Sequence, residues 1–120
     1  MIYVGTDIIK ISRIEKIITE KGQQFLSHIF TPIEQSTCNS KSSPHIHYGG
    51  KFAAKEAVKK AILSSNQKKN ILLNTIEIQN KDDGAPVAIL KEDLLGKVNI
   101  QISISHTEEY ATAVAILEFK

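Results

Sequence analysis

The segment VNIQISIS at residues 98–105 alternates apolar and polar side chains without exception. Its apolar positions are Val98, Ile100, Ile102 and Ile104. Because successive side chains of an extended strand point to opposite faces of the sheet, this period of two predicts a half-buried strand. The chain must therefore contain a sheet with at least one face covered.

Other segments favour strands that complete this sheet. Residues 2–9, IYVGTDII, predict a short buried strand that is interrupted by Gly5 and Asp7. Residues 75–90 hold an Asp-Asp-Gly turn between two apolar runs, which predicts a β-hairpin. ATAVAILEF at residues 111–119 predicts the final strand.

Between the first strand and the hairpin, the apolar spacing becomes that of helices. SRIE at residues 12–15 matches a capping box with Ser12 as N-cap and Glu15 at the third position, and Gly22 predicts a break in the helix that follows. TPIE at residues 31–34 predicts a second helix start. The apolar stripe of the first helix consists of Ile14, Ile17, Ile18, Phe25 and Leu26.

Residues 39–48, NSKSSPHIHY, are rich in Ser, Pro and His and predict a loop. Its His45 and His47 have no carboxylate or cysteine at metal-ligand spacing, which favours surface histidines. The alternative is an extended loop on which the two imidazoles reach one ion.

The order of strand, helices and further strands predicts an α+β fold: a mainly antiparallel sheet with helices packed on one face. The 120 residues, 42% of them hydrophobic and 23% charged, predict one globular domain over residues 1–120. Cys38 is the only cysteine, so an internal disulfide and a cysteine-based zinc site are both excluded. The chain has no charged-then-apolar leader and no apolar run of 18 residues, so we expect a cytoplasmic protein without a membrane partner.

A helix predicted over residues 51–63, KFAAKEAVKKAIL, has two different faces. At 100° per residue Glu56 and Lys60 lie together one turn apart, beside the row Lys51, Lys55 and Lys59. The other face is a broad apolar arc of small side chains, which permits close packing against another layer. It consists of Ala53, Ala54, Ala57, Val58, Ala61 and Ile62.

Glu56 admits two interpretations. The first is a helix salt bridge to Lys60, which contributes about 0.2–0.5 kcal/mol. The second is a metal ligand beside lysines that face a phosphate. Asp7 favours the second, because a carboxylate within an apolar strand is costly to bury unless it is paired, hydrogen bonded or metal-bound. Two carboxylates from a strand and a helix suit Mg²⁺, which proteins bind through one or two carboxylates together with substrate phosphates and water.

His106 follows directly after the alternating strand, where site residues are common, and offers a phosphate donor or a general base. The alternative is an ordinary turn residue.

The motifs GTDIIKISRIEK, FTPIE, GKFAAKEAVKKA, IEIQNKDDGAPV and SISHTEEYATAVAILE occur in this order across almost the whole chain. Together they resemble the holo-acyl-carrier-protein synthases, the small bacterial 4′-phosphopantetheinyl transferases. The resemblance implies transfer of 4′-phosphopantetheine from coenzyme A to a serine of acyl carrier protein in fatty acid biosynthesis, with release of 3′,5′-ADP. It also implies a homotrimer with sites between subunits.

The resemblance also assigns roles to residues. Asp7 and Glu56 would hold Mg²⁺, and Lys60 would assist at the phosphate, so these three are the candidate catalytic residues. The surface that docks the acidic carrier protein would include Arg13, Lys16 and Ile17. Coenzyme A would contact Lys51, Lys55, Lys60, Gly84, Pro86, Ser105 and His106. The proton acceptor for the serine stays open between Glu56 and a metal-bound water.

Three departures from the family pattern concern the coenzyme A site. SSNQKKN at residues 64–70 replaces a Gly-rich turn, Ala85 stands where the hairpin turn usually has lysine, and Lys51 stands where arginine is common. They motivate an alternative: a transferase-like module that binds coenzyme A or carrier protein with weak or no turnover. A nucleic-acid-binding protein is disfavoured, because the net charge is only +2 and few aromatic residues accompany the lysines.

Overall fold

The computed structural model describes residues 1–91 and 95–120. Within these ranges the elements are β1 (Ile2–Lys10), α1 (Ile11–Lys21), α2 (Gln23–Ile29), α3 (Pro32–Asn39), α4 (Pro44–Ser64), a 3₁₀ turn (Leu73–Thr75), β2 (Ile76–Asn80), β3 (Pro86–Leu90), β4 (Val98–His106) and β5 (Tyr110–Phe119). None of the helices in these ranges is long and apolar enough to cross a membrane.

The main sheet has the strand order β1-β5-β4, and both pairings are antiparallel. The hairpin of β2 and β3 forms a second, two-stranded sheet. The predicted α+β class, the hairpin and the alternating strand are confirmed. The final strand begins at Tyr110, one residue earlier than predicted.

Helix α4 lies against one face of the main sheet and carries the predicted arc of small side chains. All six residues of that arc are completely buried. The approach is closest at Gly5 of β1, where an added Cβ would lie 1.9 Å from the backbone oxygen of Ala57. Only glycine fits there, and this contact fixes the height of β1 beneath α4.

The opposite face of the main sheet carries an exposed apolar patch on β1 and β5. On β1 the patch consists of Ile2, Val4 and Ile8, which are 57%, 53% and 68% exposed. Val114 and Ile116 of β5 extend this patch, because Val4 pairs with Ile116 across the strands. We call Ile2, Val4, Ile8, Val114 and Ile116 the open sheet face.

Helix α3 begins at the capping box predicted for residues 31–34. The Glu34 amide donates to Thr31 Oγ1 at 3.2 Å, and the Thr31 amide donates to Glu34 Oε1 at 2.9 Å. Next to α3 lies a second core of buried residues, which are Ile14, Phe30, Cys38 and Tyr48.

The capping box predicted at Ser12 and Glu15 is wrong. Helix α1 begins at Ile11 directly after β1, and its N-cap Lys10 makes no side-chain capping bond. The reason is a tertiary contact: the Ile11 amide donates to the backbone oxygen of Glu109 at 2.8 Å, which satisfies one free N–H of the first turn. The predicted break at Gly22 is confirmed, since its φ is 58° and separates α1 from α2.

The loop predicted over residues 39–48 is also wrong in its second half, because α4 already begins at Pro44. Proline is favoured in the first turn of a helix, where its missing N–H costs no hydrogen bond, and here it marks a start rather than a loop. Tertiary contacts hold this first turn in place. Tyr48 is buried and its hydroxyl donates to Asn39 Oδ1 at 2.9 Å.

Candidate functional site

Strand β1 and helix α4 each contribute one carboxylate to the same cavity. This cavity, which we call the carboxylate cavity, has a volume of about 330 Å³ and contains both Asp7 and Glu56 in its wall. The close contact of Gly5 with Ala57 explains the meeting. Asp7 lies two residues after Gly5 on the same face of β1, and Glu56 directly precedes Ala57 on α4. The full lining is Asp7, Ile8, Ile9, Lys10, Arg13, Ile14, Ile17, Phe52 and Glu56.

A helix salt bridge between Lys60 and Glu56, the first of the two interpretations of Glu56, is not found within residues 1–91 and 95–120. Lys60 Nζ lies 3.1 Å from Asp7 Oδ1 and donates to the Thr6 backbone oxygen at 2.9 Å. The Asp7 side chain is 16% exposed and Lys60 is 53% exposed. A carboxylate inside a strand is thus paired with a cation that also reaches solvent, which lowers the cost of its burial.

The donor set of this cavity fits a hard divalent cation that relies on further ligands. Within residues 1–91 and 95–120 no group of three or more His, Cys, Asp or Glu side chains is arranged to hold a metal. Asp7 and Glu56 supply two carboxylates in one cavity, which matches the way Mg²⁺ binds when substrate phosphates and water complete its shell.

A second cavity, with a volume of about 530 Å³, lies where α4, the β2–β3 hairpin and the end of β4 meet. We call it the cationic cavity. It brings together Lys51, Gly84, Pro86 and His106, four residues that the sequence analysis selected from three separate segments. Its lining consists of Thr37, Lys41, Ile46, His47, Gly50, Lys51, Ile78, Asn80, Lys81, Asp82, Gly84, Pro86, Ile104 and His106.

Positive charge dominates this second cavity. Burial lowers the pKa of His47, and the nearby positive groups Lys41, His106 and Lys51 lower it further. Because these cationic groups lie close together, their combined electrostatic potential favours binding of an anion.

Several residues of the cationic cavity were not predicted as site residues, namely Lys41, His47, Asn80 and Lys81. Lys41 and His47 fall in the segment that was predicted as a loop, and the start of α4 at Pro44 brings His47 to the cavity. Pro44 was the available signal, because proline also marks helix starts. His45, its neighbour, contacts Glu15 instead, with 3.2 Å between Nε2 and Oε2.

Lys55 does not face a ligand, and its predicted contact with coenzyme A is wrong. Its side chain is fully buried, with Nζ 2.6 Å from Glu34 Oε1. The ammonium also donates to three backbone oxygens, those of Ile29, Leu73 and Ile76, at 2.8, 3.0 and 2.7 Å. Burial lowers the pKa of Lys55, and the Glu34 carboxylate offsets part of that effect.

Two members of the row of lysines hold the hairpin against the helices. Lys51 Nζ donates to the Ile78 oxygen at 3.0 Å, and Glu34 Oε2 accepts from the Ile78 amide at 2.6 Å. With the bond from Lys55 to the Ile76 oxygen, these side chains satisfy the edge of β2 that faces away from β3.

Three other predicted site residues line neither cavity, namely Lys60, Ser105 and Lys16. Ser105 is exposed on β4 and pairs with Thr112 in the register of the main sheet, on the side opposite to Ile104. Lys16 is exposed on α1, whereas its neighbours Arg13 and Ile17 line the carboxylate cavity.

Residues 3–115 match the model of the 4′-phosphopantetheinyl transferase superfamily. The holo-[acyl-carrier-protein] synthase of Chlamydia trachomatis serovar L2 is 44% identical over 122 residues, covering 98% of this chain and all of its own length. That of Protochlamydia amoebophila is 41% identical over 116 residues, which is 94% of each chain.

Solved structures agree with these relatives. The ACPS–CoA complex of Chronobacterium ammoniagenes superimposes with a TM-score of 0.87 at 27% identity, covering 100% of this chain and 98% of that one. The holo-(acyl-carrier-protein) synthase of Bacillus anthracis in complex with CoA (3′,5′-ADP) gives a TM-score of 0.82 at 32% identity, covering 98% and 96% of the two chains. This chain therefore belongs to the 4′-phosphopantetheinyl transferase superfamily and, within it, to the holo-[acyl-carrier-protein] synthases.

Proposed function

We propose that this chain transfers 4′-phosphopantetheine from coenzyme A to a serine of apo acyl carrier protein, depends on Mg²⁺, and releases 3′,5′-ADP. The names of its relatives and the coenzyme A complexes of its structural neighbours support the substrates. The observation that carries the proposal is the position of Asp7 and Glu56 in the wall of one cavity.

In the proposed reaction the serine Oγ forms a bond to the β-phosphorus of coenzyme A, the one that bears the pantetheine. The bond from that phosphorus to the bridging oxygen breaks, and the oxygen leaves on 3′,5′-ADP. Asp7 and Glu56 would hold the Mg²⁺, which when bound offsets the charge that develops on the diphosphate. Positioning and charge neutralisation provide most of the acceleration of such transfers.

Lys60 and Glu56 have proposed roles around this step. Lys60 does not line the carboxylate cavity, but its ammonium pairs with Asp7, which does. More than half of the Lys60 side chain is exposed, so its ammonium is available to a phosphate oxygen bound beside Asp7. The serine proton needs an acceptor, and the Glu56 carboxylate stands in the cavity wall for that purpose. A water molecule next to Glu56 is the other acceptor compatible with this geometry.

The cationic cavity is the proposed site for the nucleotide part of coenzyme A. Its positive groups favour a phosphorylated ligand, and Gly84 and Pro86 place the hairpin turn in its wall. The cationic cavity and the carboxylate cavity share no lining residue within one chain. A site between two copies would join one cavity of each, which supports the proposed homotrimer together with the open sheet face as the contact surface.

The acidic carrier protein is proposed to dock on α1. Arg13 and Ile17 line the carboxylate cavity on that helix, and Lys16 lies one residue before Ile17 on the exposed surface. Glu15 of the same helix contacts His45, with 3.2 Å between Oε2 and Nε2. We also propose that the reaction takes place in the cytoplasm and that the modified carrier protein serves fatty acid biosynthesis.

A mass-shift assay tests this function. The chain is incubated with Mg²⁺, coenzyme A and the apo carrier protein of the same organism, and the carrier is expected to gain the mass of 4′-phosphopantetheine. Glu56→Gln should reduce turnover by about 10²-fold or more, because both metal binding and proton transfer suffer. The matched control Glu20→Gln, on the exposed surface of α1, should retain turnover within about twofold. Binding of the carrier without any gain in mass would instead identify a binding module.

A further inference from the structure

A chain of hydrogen bonds connects helix α4 to the hairpin turn between β2 and β3. Lys51 Nζ donates to Asn80 Oδ1 at 3.2 Å. Asn80 Nδ2 in turn donates to the backbone oxygen of Gly84 at 3.1 Å. The oxygen and the nitrogen of the Asn80 side-chain amide therefore connect Lys51 of α4 to the backbone of the turn.

The helix end of this chain is held firmly. Lys51 is only 5% exposed, and its ammonium is also fixed by the Ile78 oxygen at 3.0 Å. Burial of this kind leaves a long side chain few alternative rotamers. Lys51 therefore holds the Asn80 side chain in a fixed position relative to α4.

The turn, in contrast, is mostly bonded to itself. The Lys81 amide donates to the Ala85 oxygen and the Gly84 amide to the Lys81 oxygen, both at 2.8 Å, and Asp83 Oδ1 accepts from the Ala85 amide at 2.9 Å. These bonds set the shape of the turn but not its position relative to α4. Gly84 has a φ of 91°, a conformation that only glycine adopts without strain.

The position of the turn matters because it forms one wall of the cationic cavity. Lys81, Asp82, Gly84 and Pro86 all line that cavity, and Lys51 lines it from the helix. A turn that moves by an ångström changes the width of the cavity and the place of its backbone groups.

From these contacts we infer that Asn80 is a positioning residue for the coenzyme A site, acting through Lys51 and Gly84 on the turn at residues 81–85. This inference rests on the proposed function, in which the cationic cavity takes the nucleotide part of coenzyme A. Asn80 contributes to ground-state binding of that nucleotide and leaves the chemistry at Asp7 and Glu56 unchanged.

The test compares Asn80→Ala with Asn74→Ala, which changes an asparagine of the 3₁₀ turn that lines neither cavity. In Asn80→Ala the KM for coenzyme A, measured in the mass-shift assay, and the Kd for 3′,5′-ADP, measured by calorimetry without carrier protein, are expected to rise about tenfold, the effect of losing one or two hydrogen bonds. The kcat should stay within about twofold of the wild type, and Asn74→Ala should match the wild type in every measurement. Asn80→Ser provides a second variant, since its short hydroxyl cannot contact both Lys51 and Gly84.

A double-mutant cycle with Lys51→Met separates positioning from independent contacts. If Asn80 acts through Lys51, the Kd of the double variant rises by clearly less than the product of the two single effects. A Kd within twofold of the wild type in both Asn80 variants, or fully multiplicative effects in the cycle, would overturn the inference. The Kd measurements concern 3′,5′-ADP binding alone, so a wild-type chain that binds the nucleotide but fails to modify the carrier would contradict the proposed function and leave the inference standing.

Discussion

Lys60 Nζ lies 3.1 Å from Asp7 Oδ1, which joins the middle of β1 to the outer side of α4 next to the second carboxylate, Glu56. One ammonium thus stands beside the carboxylate pair and still reaches solvent. In the proposed reaction this ammonium would move from Asp7 to a phosphate oxygen of coenzyme A.

Replacing this ammonium tests its role. Lys60→Gln should lower kcat/KM for coenzyme A by about tenfold or more in the mass-shift assay, because a charge-assisted contact to phosphate is lost. Lys59→Gln is the matched control, a neighbouring lysine of α4 that lacks the contact of Lys60 with Asp7 among the described residues, and should retain activity within about twofold. Equal activity of the two variants would remove Lys60 from the mechanism.

The buried pair of Glu34 and Lys55 predicts a large effect on stability. Glu34→Gln leaves the Lys55 ammonium buried without its carboxylate, which typically costs about 3–5 kcal/mol. Denaturant unfolding of this variant should show that loss, whereas Glu20→Gln should change the free energy of unfolding by less than about 0.5 kcal/mol. A Glu34→Gln variant as stable as the wild type would mean that the pair does not hold the hairpin.

Cys38 predicts a pH dependence. Burial raises the pKa of its thiol from 9.0 to about 12, so above pH 9 the unfolded chain releases this proton while the folded chain keeps it. Below pH 9 the thiol is protonated in both states, and its contribution to the free energy of unfolding is fully present. As the pH rises from 9 towards 12, loss of the proton favours the unfolded state, and this contribution is lost.

Two measurements check this statement. Unfolding free energies should fall between pH 9 and pH 11, and fall less steeply in Cys38→Ala. In the native state at pH 8 the thiol should not react with an aromatic disulfide reagent, and it should react fully in denaturant. Rapid reaction of the native thiol would show that the second core opens easily.

The open sheet face predicts self-association. Val4→Lys introduces a charge at a position 53% exposed in the single chain, and Ile33→Lys does the same at 54% exposure on α3, away from this face. If the face joins copies of the chain, light scattering should show a trimer for the wild type and Ile33→Lys and a smaller species for Val4→Lys. A trimer that survives Val4→Lys would move the interface elsewhere.

Local patterns predicted most of the fold. Period-two alternation at residues 98–105, the small-residue arc of α4 and the capping box at Thr31 and Glu34 all depend on neighbours in sequence, and each is found where it was predicted. The predicted cap at Ser12 failed because its competitor is remote: the backbone oxygen of Glu109 satisfies the start of α1.

The candidate site was less predictable than the fold, because its geometry depends on contacts between residues that are remote in sequence. On a helical wheel Lys51 and Lys55 look like solvated or ligand-facing lysines, and no local signal shows that a hairpin 20 or more residues later buries them. The partner of Lys55 is Glu34, which the sequence marks only as part of a capping box. Asn80 was missed because its role depends on a helix side chain and a turn carbonyl that meet only in the folded chain.

The most direct test of the account is the position of a divalent ion. Anomalous diffraction from crystals of the chain grown with Mn²⁺ and coenzyme A should show one peak within about 2.5 Å of a carboxylate oxygen of both Asp7 and Glu56. A peak held by only one of these residues, or an ion bound outside the carboxylate cavity, would contradict the claim that the two acids share one metal.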